Sequence, residues 1–225
     1  MNEFFRRNKA TLLDLLAITL VTAAAIVAYG VFKNDLKSFT GFGAIAAYAA
    51  MEFSVAGLGP VVVMILRRER FSTYGFTKNN LSLSLAVGLI SIFLFILLVY
   101  LTAGTVQWQP LRRISVTATA LALPLPLNIL GLVLIAAAWG FFEGFTLIVA
   151  SKKINALVAT NNPWLKPGPI LIIVVNLIVH ALTDHTIDAT WIVAALVTYA
   201  VVLIPETTRN SWGGALLFFG IWNAV

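Results

Sequence analysis

Apolar residues fall along the chain in long runs separated by short polar breaks, at about 11–32, 41–66, 81–103, 119–150, 169–187, 189–204 and 211–225. A hydrocarbon core about 30 Å thick takes about 20 helical residues, so the first three runs are long enough to cross a membrane and the last three are short. The fourth exceeds one straight span. Pro124 and Pro126 in "LALPLPLNIL" remove backbone donors and restrict the residues before them, which confines the regular helix to about 127–150 and leaves the earlier residues in the outer interface. Between the fifth and sixth runs the only polar break is "TDHTIDAT", read as a tight turn or a kink. The pattern predicts an all-α fold, a polytopic membrane helix bundle of about seven transmembrane helices. It forms one domain over 1–225, with two N-terminal helices in 1–66 and the remaining core in 67–225.

Composition agrees with that reading. Charged residues make up 11% and hydrophobic residues 60% of the chain, whereas soluble domains carry roughly 25% charged residues. The formal charge of +6 does not point to nucleic acid, because the basic residues sit between apolar runs, where they set topology. With the N-terminus in the cytoplasm, eleven of the fifteen Lys and Arg residues lie inside. The loops holding Arg67–Arg70 and Lys152–Lys153 are then cytoplasmic, and only Lys33, Lys37, Arg112 and Arg113 lie outside. The expected location is the cell membrane, with membrane lipid as the surrounding partner. The basic start "MNEFFRRNK" precedes a run long enough to span and reads as a retained first helix, with a cleaved signal peptide as the alternative. Cysteine is absent, which excludes disulfides and thiolate metal sites.

One acid interrupts the run "WGFFEGFTLIVASKKIN": Glu143. A titratable side chain deep in lipid is costly, so it faces the bundle interior and finds a partner. Counting about 1.5 Å per residue from the cytoplasmic ends, Glu143 lies roughly 12 Å deep, His180 roughly 16 Å, Asn223 roughly 18 Å and Glu52 roughly 21 Å. These groups come from separate runs and fall into one layer. A glutamate beside an imidazole can take a proton from water and return it to a leaving amine, and an amide nearby can donate to a developing oxyanion. Interhelical hydrogen bonding is the structural alternative for the same residues. Asp184, four residues after His180, shares its helix face and is placed to orient the imidazole. His185 and Asp188 read as a wet helix end, and Asp14 as an interfacial residue whose carboxylate snorkels to the cytoplasmic surface. Trp108, Trp164 and Trp212 read as interfacial anchors, while Trp139 and Trp222 fall deeper and pack or wall a groove. No metal or other cofactor is expected: the two histidines are spaced by five and no His-Glu-x-x-His occurs.

The stretch "RFSTYGFTKNNLSLSLAVGL", followed by "FFEGFTLIVASKKIN", "NLIVHALTDH" and "GALLFFGIWNAV", resembles the CPBP family of CAAX-protease and bacteriocin-processing membrane proteins over roughly residues 65–225. Three motifs of that family run in order on successive core helices: Glu-Glu-x-x-x-Arg, Phe-x-x-x-His, and His-x-x-x-Asn or Asp. The resemblance implies an intramembrane endopeptidase with Glu143, His180 and Asn223 as catalytic residues, Asp184 and Glu52 in support, and a membrane-associated or prenylated peptide as substrate. The chain departs from the pattern in four places. Phe142 and Gly144 flank a single Glu, Leu147 or Ile148 stands at the Arg, Asn176 at the Phe, and Phe219 at the second His. The departures imply weak or lost proteolysis. Two other readings stay open: a non-catalytic relative that binds a membrane protein or peptide, and a small transporter using Glu52 and Glu143.

Overall fold

A backbone in lipid has no water to bond and must close its own hydrogen bonds, which makes helices of the long apolar runs. The computed structural model describes residues 3–105, 108–158, 160, 162–184 and 189–224, and the side chains of Asn176, His180 and Asp184 lie outside that description. Every regular element among the described residues is helical. The first half of the chain forms α1 (Glu3–Leu36), α2 (Gly41–Glu52), a π turn (Phe53–Gly57), α3 (Leu58–Leu66), a 3-10 turn (Phe71–Tyr74) and α4 (Leu81–Ala103). The second half forms α5 (Thr117–Ala122), α6 (Leu127–Ile135), another π turn (Ala136–Phe142) and α7 (Glu143–Leu157). A 3-10 turn (Pro163–Leu165), α8 (Pro167–Asp184), α9 (Ala189–Thr208) and α10 (Trp212–Ile221) complete it.

Four continuous stretches are long and apolar enough to cross a membrane: Asn8–Leu36, Gly41–Leu66, Leu81–Thr102 and Leu127–Leu157. Shorter apolar helices cover Ile192–Thr208 and Trp212–Ile221. The fourth long stretch begins directly after Pro126, as the prolines require, but it continues to Leu157 instead of stopping near 150. Lys152 and Lys153 therefore sit on a helix and not in a loop. Their segment stays helical because its polar heads find partners, as Lys153 and Asn155 show below.

Helix α10 is the centre of the bundle, packed against α4, α9 and the second π turn, while α7 packs against α1, α8 and α9. Its approach to α4 needs glycine: a Cβ at Gly213 would lie 1.9 Å from the Ser84 carbonyl oxygen. Phe145, Ile148, Val149, Val201, Leu217 and Phe218 are fully buried in the main core, which also takes in Ile18 of α1 and Val63 of α3. The N-terminal helices thus share one core with the rest. A second cluster, Ile45, Leu111, Ile114, Val116, Ala120 and Ile135, lies around α5 and the segment before it.

Two polar clusters tie one end of the bundle. Asp14 is buried, 6% exposed, and its carboxylate accepts from Arg67 Nε at 2.7 Å and Lys153 Nζ at 2.9 Å. This corrects the snorkelling expectation: Lys153 and Arg67 come to Asp14 from α7 and the end of α3, so the carboxylate is neutralised where it lies. Lys153 also reaches Glu69 at 2.9 Å, and the Tyr74 hydroxyl donates to the same carboxylate. Burial first, and that hydrogen bond second, push the Tyr74 phenol up from its ordinary range, so it remains a donor. On the other side, Glu206 accepts from Lys166 and from Asn155 Nδ2 at 2.9 Å, and Asn155 Oδ1 accepts from Gly168 N at 2.7 Å.

The connection between α9 and α10 carries a fully buried asparagine, Asn210. Its amide donates to the carbonyls of Thr77 at 2.9 Å and Asn79 at 2.6 Å, and its Oδ1 accepts from Trp212 N at 3.0 Å. One side chain thereby satisfies backbone groups of two loops distant in sequence. Asn210→Ala leaves all three without that partner and is expected to lower unfolding free energy by about 1–3 kcal/mol. Asn79→Ala, which keeps the backbone carbonyl, is expected to change it by less than about 0.5 kcal/mol. Denaturant unfolding in mild detergent measures both.

Candidate functional site

The two intramembrane glutamates stand at the two π turns. Glu52 immediately precedes the first and Glu143 immediately follows the second. A π turn closes its hydrogen bonds one residue further along than an α-helix does, which displaces carbonyls from their ordinary partners and often marks a functional position. Threonines meet two carbonyls of the first turn. Thr22 Oγ1 on α1 donates to Val55 O at 3.0 Å, and Thr146 Oγ1 on α7 donates to Ala56 O. Gly57 permits the two turns to touch, since a Cβ there would lie 2.7 Å from the Phe53 ring and 2.9 Å from Phe142 Cβ. Phe53 and Phe142 then meet edge to face with ring centroids 4.7 Å apart.

That contact sets Glu52 and Glu143 at the edges of two touching turns. Glu143 Oε1 accepts a hydrogen bond from Trp222 Nε1 at 2.8 Å, and the Trp222 ring is stacked on Phe218 with centroids 5.2 Å apart. The end of α10 is itself fixed from the preceding segment. Trp108 Nε1 donates to Gly220 O at 2.7 Å, Gln109 N to Ala224 O at 3.1 Å and Arg113 N to Asn223 O at 3.1 Å. These donors take up carbonyls that a helix C-terminus leaves unpaired.

A cavity of about 410 Å³ opens beside the pair, lined by Ile26 and Tyr29 of α1, Tyr48, Met51, Glu52 and Val55, the Arg113–Ser115 segment, Trp139 and Asn223. Glu52 and Asn223 therefore face one space, while Glu143 is hydrogen-bonded to Trp222, the residue before Asn223. Of the four residues expected to share a layer, the structure places Glu52 and Asn223 on one cavity and holds Glu143 by Trp222, the chain neighbour of Asn223. His180 and Asp184 lie on α8, but their side chains are outside the description, so the expected approach of Glu143 and His180 is too; His185 and Asp188 lie outside the described residues. The backbone of α8 runs back along α7 from a close contact at Gly168, where a Cβ would lie 2.3 Å from Ser151 O. Twelve residues on, roughly 18 Å along the helix, the backbone of residue 180 reaches about the level of the second π turn. No group of three or more His, Asp and Glu residues among those described is arranged to hold a metal ion.

Two positions at which the chain differs from the motifs it resembles lie in apolar packing. Phe219, where the motif has histidine, lies over Gly140, whose Cβ would meet the ring at 2.4 Å. Ile148 is buried in the main core with Phe145 and Val149, so an arginine at that position would enter apolar surroundings. Sequence reasoning did not assign Trp222 as the partner of Glu143, nor Arg113, Tyr29 and Tyr48 to the cavity. Trp222 is adjacent to Asn223 in a short run, a signal that could have drawn attention to it; the loop position of Arg113 carried none. No protein-family model, no curated protein and no solved structure matches the chain.

Thr146→Val keeps the shape of the side chain and removes the donor to Ala56 O. It is expected to lower stability by about 1–3 kcal/mol, the cost of leaving a buried carbonyl unpaired. Thermal unfolding in detergent measures the change, with Thr19→Val, an exposed intrahelical hydroxyl, as the comparison.

Proposed function

We propose that the chain is a membrane protein of about seven spans with a cytoplasmic N-terminus, and that its glutamate pair forms a CPBP-like hydrolytic site of altered chemistry. The observation that carries the proposal is that Glu143 and Glu52 flank two touching π turns beside a cavity that Glu52 and Asn223 line. In this reading Glu143 takes a proton from a water molecule, and the resulting hydroxide attacks the scissile carbonyl of a membrane-associated peptide. The Asn223 amide donates to the oxyanion, and the proton passes from Glu143 to the leaving amine. Trp222 holds the Glu143 carboxyl in one orientation while the other oxygen works. His180 is assigned as the partner of Glu143, with Asp184 orienting the ring.

The turnover expected is low. An oxyanion donor removed from a soluble hydrolase costs about 2.7–4 kcal/mol, and Phe219 replaces one polar group of the motif. The Phe219 ring over Gly140 also favours a second reading, a non-catalytic relative that retains the cavity to bind a membrane peptide. Glu143→Gln separates the two, because it keeps shape and hydrogen bonding while removing the proton acceptor. Cleavage of prenylated and unprenylated membrane peptide reporters is expected to fall by about 10²-fold or more. Thermal stability should hardly change. Peptide binding without any Glu143-dependent product would leave the non-catalytic reading.

Topology has its own test, made clean by the absence of native cysteine. Single cysteines placed at Arg68 and at Lys78 are expected to resist an impermeant maleimide added outside intact cells, and one at Lys37 to react. Strong labelling at Arg68 with none at Lys37 would reverse the orientation.

A further inference from the structure

The cavity beside the two π turns is lined by an acidic and a basic side chain that do not pair with each other. Glu52 accepts no hydrogen bond and joins no ion pair among the described residues, and the Arg113 guanidinium likewise has neither, although both line the same cavity. Charges at the edge of a low-dielectric space are expensive to leave unmatched, so a space that presents a carboxylate at one place and a guanidinium at another is complementary to a ligand with an ammonium and an anion. The walls fit the same ligand. Tyr29, Tyr48 and Trp139 supply aromatic surface next to Glu52, and aromatic faces attract ammonium groups, including quaternary ones. At about 410 Å³ the cavity lies within the range of small-molecule sites, roughly 300–1,000 Å³.

The position of the cavity selects among zwitterions. Its α1 wall is peripheral, with Ile26 53% and Tyr29 42% exposed, and Val27 beside them is 66% exposed. A ligand there has an apolar, outward-facing surface along which hydrocarbon chains can lie. We infer that the cavity binds the head group of a zwitterionic phospholipid, with its ammonium toward Glu52 among the aromatic rings and its phosphate toward Arg113. The inference uses the cavity and its charges and does not depend on the peptide chemistry proposed above, so either can fail alone.

The test is lipid retention by the full chain. Protein in nanodiscs made with equal amounts of phosphatidylethanolamine, phosphatidylcholine and phosphatidylglycerol of one acyl composition is extracted gently, and the lipids that stay bound are read by native mass spectrometry. Enrichment of the two zwitterionic lipids over phosphatidylglycerol by about tenfold is expected, the ratio a single charge-assisted contact supplies. Glu52→Gln should abolish the enrichment, and Arg113→Gln, which removes the partner of the phosphate that all three lipids share, should lower their retention together. Arg113 is exposed, so its variant reports on binding even if Glu52→Gln folds poorly. Equal retention of all three lipids by the parent protein, or undiminished lipid retention in Arg113→Gln, would overturn the inference. So would stabilisation by free phosphoethanolamine with no preference among lipids, which would make the ligand a soluble zwitterion.

Discussion

Everything distinctive about this bundle depends on the contact between its two π turns. Carbonyls displaced from a helical ladder in lipid have no water to turn to, so each must find a donor within the protein. Thr22 and Thr146 provide donors from two different helices, which ties α1 and α7 to the first turn. The same wide turns carry Glu52 before one and Glu143 after the other, with Glu52 lining the cavity and Glu143 held by Trp222. A regular helix through either segment would rotate its glutamate relative to the present arrangement, so the local irregularity sets where both carboxyls lie.

The rest of the molecule supports that contact from both ends. At one end Asp14, Arg67, Lys153 and Glu69 join α1, the end of α3 and α7 in one charged network, while Asn210 sews the loop before α4 to the turn before α10. A buried ion network is weak evidence for stability, but breaking one member strands the others, so it fixes register. At the other end the Trp108–Arg113 segment donates to carbonyls at and just past the end of α10 and so fixes Trp222 and Asn223, which follow it.

Much of this was legible in the sequence, for physical reasons that differ by residue. The apolar runs gave the helices because lipid permits little else, and Pro124 and Pro126 gave the start of α6 because a proline cannot continue a ladder. Glu143 and Glu52 stood out by the expense of placing a carboxyl in lipid. The π turns left no signature: Phe53–Gly57 and Ala136–Phe142 have compositions that an α-helix would accept, and only tertiary packing selects the wider turn. Asp14 reads as interfacial from its position alone, since nothing in the local sequence reveals that Lys153 approaches from α7. Arg113 was counted as a topological charge because a loop residue's place over a cavity depends on where its neighbours fold.

The central claim is that Glu52 and Glu143 act as one site, and a double-mutant cycle on unfolding free energy tests it most directly. Glu52→Gln, Glu143→Gln and the double variant are compared with the parent in the same detergent. Carboxyls that share a site give an interaction energy of about 0.5–3 kcal/mol between the two substitutions. Additivity within about 0.3–0.5 kcal/mol, the behaviour of separate positions, would contradict the account.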